Sequence, residues 1–224
     1  MTVDDRPGPV LSPLRVRRNL REEITQTLRA AVISGELRPG VVHSAPHLAA
    51  QFGVSATPVR EAMLDLAKEG LIDVVRNKGF RVTEPSQKDL DDLSELRALI
   101  EVPTVRRIAE VGAAPAVLEE LRPLAVEIED AAARHDLIAH VAADMEFHLR
   151  LLALAGNAHL VEHVRSLRAQ SRIYGLRSLA ERGELVPSAH EHAELLDLVL
   201  AGDTEGTERL MRRHIGHVRG IWAE

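Results

Sequence analysis

From residue 87 onward, apolar side chains recur three and four residues apart, and no stretch shows strict alternation. A sheet is therefore excluded as the organising element of the larger part of the chain. Leu93, Leu96, Leu99, Ile100 and Val105 mark the first such segment, and segments 117–132, 141–155, 160–179, 189–200 and 204–221 follow. Gly112, Gly156-Asn157, Gly183, Pro187 and Gly202-Asp203 punctuate them, so an all-α bundle of six or seven helices is expected. Pro103 falls inside the first helix and is expected to kink it. Only five aromatic residues occur (three Phe, one Tyr, one Trp), which agrees, because strands favour aromatic and β-branched side chains.

The first 85 residues are patterned differently. Leu20, Ile24, Leu28 and Ala31 predict a helix closed by Gly35 and Pro39-Gly40. Ser44 is placed to cap a short second helix that carries Leu48, Ala49 and Phe52 and stops at Gly53. Thr57 is placed to cap a third, with Pro58 at its first position, running through Val59, Ala62, Met63 and Leu66 to Gly70. Segments 71–75 and 79–83 predict two strands around the cationic turn Arg76-Asn77-Lys78-Gly79. Two helices joined by a Gly-containing turn and followed by a basic-tipped hairpin make a winged helix-turn-helix. The fold class is thus mainly α, with a domain boundary expected at Thr83-Glu84-Pro85-Ser86. Residues 1–85 form the winged helix-turn-helix (ordered from about 15 to 83), and residues 86–224 form the bundle.

Charge divides along the same boundary. The whole chain carries a net −6, but residues 1–85 hold 12 Lys/Arg against 10 Asp/Glu, and residues 86–224 hold 16 against 24. Only the first part is suited to meet phosphates. No apolar run approaches the roughly 18 residues of a membrane span, and residues 1–21 lack the apolar core of a signal peptide. A cytoplasmic protein without membrane contact is expected. The absence of Cys removes disulfides, thiolate zinc sites and Cys nucleophiles, so any metal must be held by nitrogen and oxygen.

Asp144 and His148 stand four apart, on one face of a helix whose neighbours Phe147, Leu149, Leu151 and Leu152 suggest burial. A buried Asp and His need a charge, a hydrogen bond or a metal. His192 opens a later helix and His214 lies on the last. One Asp and three His suit Zn²⁺, Ni²⁺, Mn²⁺ or Fe²⁺. Against this, nine His in residues 86–224 invite chance clusters.

The run Phe52-Gly53-Val54-Ser55-Ala56-Thr57-Pro58-Val59-Arg60-Glu61-Ala62-Met63, with Leu66, Glu69-Gly70-Leu71 and Gly79-Phe80-Arg81-Val82, resembles the GntR family of bacterial transcription regulators. Ser55 and Thr57 lie at the N-terminus of the recognition helix, where backbone N–H groups favour a phosphate. Arg60 lies in its first turn, suited to guanine or phosphate. Arg76, Lys78 and Arg81 lie on the wing, within reach of backbone or minor groove. The sequence departs from the family at Ala45-Pro46-His47, where an acidic-Arg pair is common, and at Ala56, where many members carry Arg.

Leu96-Arg97-x-x-Ile100-Glu101, Asp144-x-x-Phe147-His148, Gly156-Asn157, Glu191-His192 and Met211-Arg212-Arg213-His214 are similar to the FCD effector domain of the FadR-like GntR subfamily. The resemblance implies that Asp144, His148, His192 and His214 bind a divalent ion, zinc first, whose open positions receive a carboxylate effector. It implies that Arg97 faces this effector; an ion pair with Glu101 is the competing role. Asn157 is a second effector candidate, and a helix cap is its competing role. His190 is expected to point away from the site, and His217 to support His214 from one turn beyond.

The reading is therefore a regulator, not an enzyme, and a repressor rather than an activator. It acts as a homodimer on a pseudo-palindromic double-stranded operator and responds to a small organic acid. The competing readings are a regulator with a purely structural metal and a metal-dependent hydrolase. The latter would use Glu146 or Glu191 as base, though both are expected off the ligand face.

Overall fold

The computed structural model describes residues 20–84, 86–181 and 183–220. The Arg-rich N-terminal segment, Pro85 of the expected boundary, and Ile221 at the end of the last expected helix lie outside the described residues.

Three helices and a small sheet come first. Helix α1 (Leu20–Ser34) buries Ile24, Leu28, Val32 and Ile33 and is tied to α3 (Ala56–Lys68) and the residue after it by Arg21–Asp65 and Arg29–Glu69 ion pairs. Between them lie β1 (Val42–His43) and α2 (Ala45–Phe52), which is capped by the Ser44 hydroxyl. The α2–α3 turn passes through Gly53 at φ 66°, a left-handed conformation that closes α2 cheaply only without a Cβ. The cap of α3 is Ser55, not Thr57, and Thr57 and Pro58 sit two residues deeper than expected. The helix tolerates this because Pro58 is still in the first turn, where no N–H is needed for the ladder.

Strands β2 (Ile72–Val75) and β3 (Gly79–Val82) form the expected hairpin, and β1 adds a third strand in the order β1-β3-β2. Two residues are too few to show alternation, so β1 was illegible in the pattern. Its carbonyl at His43 approaches Gly79 (φ 130°) so closely that a Cβ there would lie 2.3 Å away.

The remainder is helical: α4 (Gln87–Val111), α5 (Pro115–Glu119), α6 (Arg122–Ala133), α7 (Leu137–Ala153), α8 (Ala158–Glu181), α9 (Leu185–Ala201) and α10 (Thr204–Gly220). Ser86 and Asp89 form a reciprocal capping box that starts α4, which then continues through Pro103. The single helix expected over 117–132 is two, α5 and α6, because Pro123 cannot donate to the carbonyl of Glu119. Pro187 does not separate helices but lies in the first turn of α9. The bundle core forms where α4 meets α10, α8 and α9, and where α7 meets α6 and α8. The helices cross with buried Val105, Phe147, Leu151, Leu196 and Met211 between them. None of the described helices is long and apolar enough to cross a membrane.

Gly79→Ala is expected to push β1 off the wing and destabilise the N-terminal domain by about 1–3 kcal/mol. Thermal unfolding of the variant would show this, and an unchanged midpoint would mean that the β1–β3 approach relaxes freely.

Candidate metal centre and DNA-reading face

The apolar stripes of α7, α9 and α10 bring the predicted metal residues together. Asp144 and His148 come from α7, His192 from the second turn of α9, and His214 from α10, all between 1% and 4% exposed. His148 Nε2 lies 3.1 Å from His192 Nε2 and 3.2 Å from His214 Nε2, while Asp144 Oδ1 lies 3.0 Å from His192 Nε2 and 3.6 Å from His148 Nε2. Ligands bound about 2.0–2.1 Å from a zinc-sized ion stand about 3.3–3.4 Å apart at tetrahedral angles, so the spacing suits one ion at the centre.

Hydrogen bonds behind the rings decide which lone pairs face inward. His192 Nδ1 donates to the Ala189 carbonyl at 2.9 Å, and His214 Nδ1 donates to Glu191 Oε2 at 2.9 Å. With the proton on Nδ1, the neutral tautomer of each ring turns a bare Nε2 lone pair toward the cluster. In that tautomer His192 Nε2 faces a carboxylate oxygen, acceptor against acceptor, a contact that a bound cation would relieve. Burial, reinforced by Arg168, holds the His148 imidazole well below its ordinary pKa and keeps it neutral, as metal binding requires. Phe147 stands edge-on to His148 and His192 as an apolar wall. The residues present fit a divalent metal.

Two carboxylates behind the cluster were not assigned these places in the sequence. Glu191 collects His214 Nδ1, His217 Nε2 at 2.9 Å and Arg213 Nε at 2.7 Å. Burial opposes its ionisation, yet these donors hold the carboxyl well below the usual range. It is turned to the back of His214, where it fixes the ring, rather than into the ligand face. His217 supports His214 through Glu191, not directly. Glu101 takes Arg97 Nε at 2.8 Å and Arg168 Nε at 3.0 Å, and Arg168 Nη1 reaches Asp144 Oδ2 at 3.2 Å. Burial would raise the Glu101 pKa, but Arg168 and Arg97 outweigh it and keep the carboxylate charged. Arg168 occupies the apolar stripe Val164-x-x-x-Arg168-x-x-Ser171 of α8, and a charge at such a position was the available signal.

Arg97 makes the expected ion pair with Glu101 and donates through Nη1 to Ser171 Oγ at 3.1 Å, but among the described residues its buried Nη2 has no partner. Asn157 is exposed, and its Oδ1 accepts the Leu160 amide at 3.1 Å, capping α8. Asn157 thus makes the helix cap that was its competing role. His190 points outward to Glu129, and Glu146 is exposed on the opposite side of α7.

On the N-terminal domain, Ser55, Thr57, Arg60, Arg76, Lys78 and Arg81 are all exposed. Ser55 makes no side-chain cap bond, which leaves the first turn of α3 open. Whereas Arg21 and Arg29 are paired with carboxylates, none of Arg60, Arg76, Lys78 and Arg81 makes an ion pair among the described residues. His47 hydrogen-bonds Gln51 on the exposed face of α2.

Residues 20–82 match the bacterial regulatory proteins of the gntR family, and residues 92–217 match the FCD domain. This chain belongs to the GntR family of transcription regulators. It is 32% identical, over 88% of its length and 83% of the relative's, to an uncharacterized HTH-type transcriptional regulator in an unstable DNA locus of Streptomyces ambofaciens. It is 36% identical to the Nta operon transcriptional regulator of Aminobacter aminovorans, over 62% of this chain and 66% of that one. Escherichia coli McbR/YncC superposes with a TM-score of 0.71 at 27% identity, covering 88% of this chain and 93% of that structure. The GntR relatives are regulators, so the FCD domain here serves regulation rather than catalysis, and its buried His/Asp cluster is of the kind that holds a metal.

In the metal-free protein, His148 binds fewer protons folded than unfolded at and below its ordinary pKa of 6.5. Folding stability should therefore be full above that pH and fall as pH drops below it, by at most about 1.4 kcal/mol per pH unit for this group. Urea midpoints of chelator-treated protein at descending pH, set beside His148→Gln, would check the sign. Equal pH dependence in both proteins would remove His148 as the cause.

Proposed function

We propose that this GntR regulator is a homodimeric repressor whose DNA affinity is set by a small carboxylate that binds beside a divalent metal, zinc first among Zn²⁺, Ni²⁺, Mn²⁺ and Fe²⁺. The observation that carries the reading is the unpartnered Nη2 of buried Arg97 in a network that already holds the metal ligand Asp144. Asp144 and Glu101 are matched in charge by Arg97 and Arg168, so a divalent ion among three neutral imidazoles leaves two positive charges without a counterion. An anion beside the metal offsets them, and a guanidinium N–H is suited to orient its carboxylate. Complete burial of the four ligands favours a purely structural ion instead, and the metal and carboxylate arms of the experiment below separate the two readings.

Ser55 and Thr57 at the open helix terminus position the backbone, Arg60 reads the major groove, and Arg76, Lys78 and Arg81 grip the flanking strand. An operator with two half-sites matches a dimer, and exposed Leu96 and Leu99, three apart on α4, supply an apolar stripe suited to a second copy. Relatives named as repressors, among them Escherichia coli GlaR at 28% identity, support the direction of control.

The test is fluorescence anisotropy on DNA from upstream of the gene, with zinc or chelator and with small mono- and dicarboxylates. Arg60→Ala should weaken DNA binding by about 1–3 kcal/mol with metal content unchanged. His192→Ala should lose zinc by elemental analysis. Arg97→Lys should keep zinc and DNA binding but lose the carboxylate response. Full zinc retention in His192→Ala would overturn the ligand set, and an unaltered response in Arg97→Lys would overturn the effector site.

A further inference from the structure

A cavity of about 470 Å³ lies between the two domains. Ala30 and Ile33 of α1 and Lys68 at the end of α3 form one wall; Val141 and Met145 of α7 and Arg165 and Arg168 of α8 form the other. Helix α7 thus presents Asp144 and His148 to the metal cluster and Val141 and Met145 to the cleft. Among the described residues, Arg168 alone both bonds a residue of the cluster and lines the cleft. Its guanidinium holds Asp144 Oδ2 and Glu101, leaving Oδ1 as the oxygen that faces the imidazoles.

We propose that Arg168 is a positioning residue that couples the metal centre to the interdomain cleft. The proposal rests on the metal-binding reading given above. Asp144 is held from both sides, its Oδ1 by the ligand cluster and its Oδ2 by Arg168. Any turn of the carboxylate is therefore transferred to a side chain with no solvent exposure. On its other side Arg168 lines the cleft, whose opposite wall is Ala30 and Ile33 of α1 and Lys68 of α3. Lys at this position keeps the charge that Glu101 needs but lacks the fork that spans Glu101 and Asp144 together.

The chain has no Cys, so Lys68→Cys with Glu162→Cys places two unique spin labels on opposite, exposed walls of the cleft. Labelled chain is diluted with unlabelled chain so that only separations within one chain are read. Zinc is added alone, and its content is measured on the same samples. The expected result is a zinc-dependent change in label separation that is lost in Arg168→Lys when the two proteins are compared at equal, saturating zinc content. Ala142→Trp, which fills the cleft from the exposed side of α7, should also suppress the change while leaving zinc content intact, and covers the case in which Arg168→Lys misfolds. Full zinc content with no change of separation in the parent protein, or the parental change persisting in Arg168→Lys, would overturn the coupling while sparing the metal site. No zinc binding by the parent protein would overturn both.

Discussion

Arg97, Glu101, Asp144 and Arg168 form a chain of opposite charges with almost no contact with water, and the effector domain depends on it. They come from α4, α7 and α8, so each helix must be seated before the next charge is matched. Removing one member of such a set leaves its neighbour buried and uncompensated, at a cost of about 3–5 kcal/mol. The same chain ends on a metal ligand at one side and on an unfilled guanidinium N–H at the other. The network that stabilises the bundle thus also reaches the His/Asp cluster.

This arrangement also explains the charge division between the domains. The DNA-reading domain leaves its outward cations unpaired at Arg60, Arg76, Lys78 and Arg81, while its inward cations, Arg21 and Arg29, lock α1 to α3. The effector domain matches its interior charges internally and keeps an acidic surface. An average over the whole chain hides both patterns.

Most of the architecture was legible because period and punctuation act locally. The winged hairpin, the Gly53 turn and the long helices were all written in residues a few positions apart. So were Asp144 and His148, one turn apart on a buried face. His192 and His214 were legible as candidates by their chemistry, but their grouping with Asp144 and His148 rested mainly on the family pattern, since a single His on a helix carries no geometric mark. Failures occurred where a local signal had two outcomes or where the partner was remote. Pro123 split a helix that the apolar pattern ran through, whereas Pro103 and Pro187 did not break theirs. Thr57 looked like a cap, but Ser55, two residues earlier, took the position. Arg168 and Glu191 act across the bundle, from 67 and 23 positions away from Glu101 and His214, and no local period encodes such a reach.

The capping box at Ser86 and Asp89 gives α4 a fixed beginning only a few residues after the wing. Its 25 residues extend about 37 Å from there into the bundle. A helix held at its first turn cannot absorb a displacement by fraying. It behaves as a lever, on which a tilt of about 5° becomes roughly 3 Å at the far end. Because the rod is rigid, the same tilt taken about its bundle end carries a displacement of that size to the first turn, a few residues from the wing.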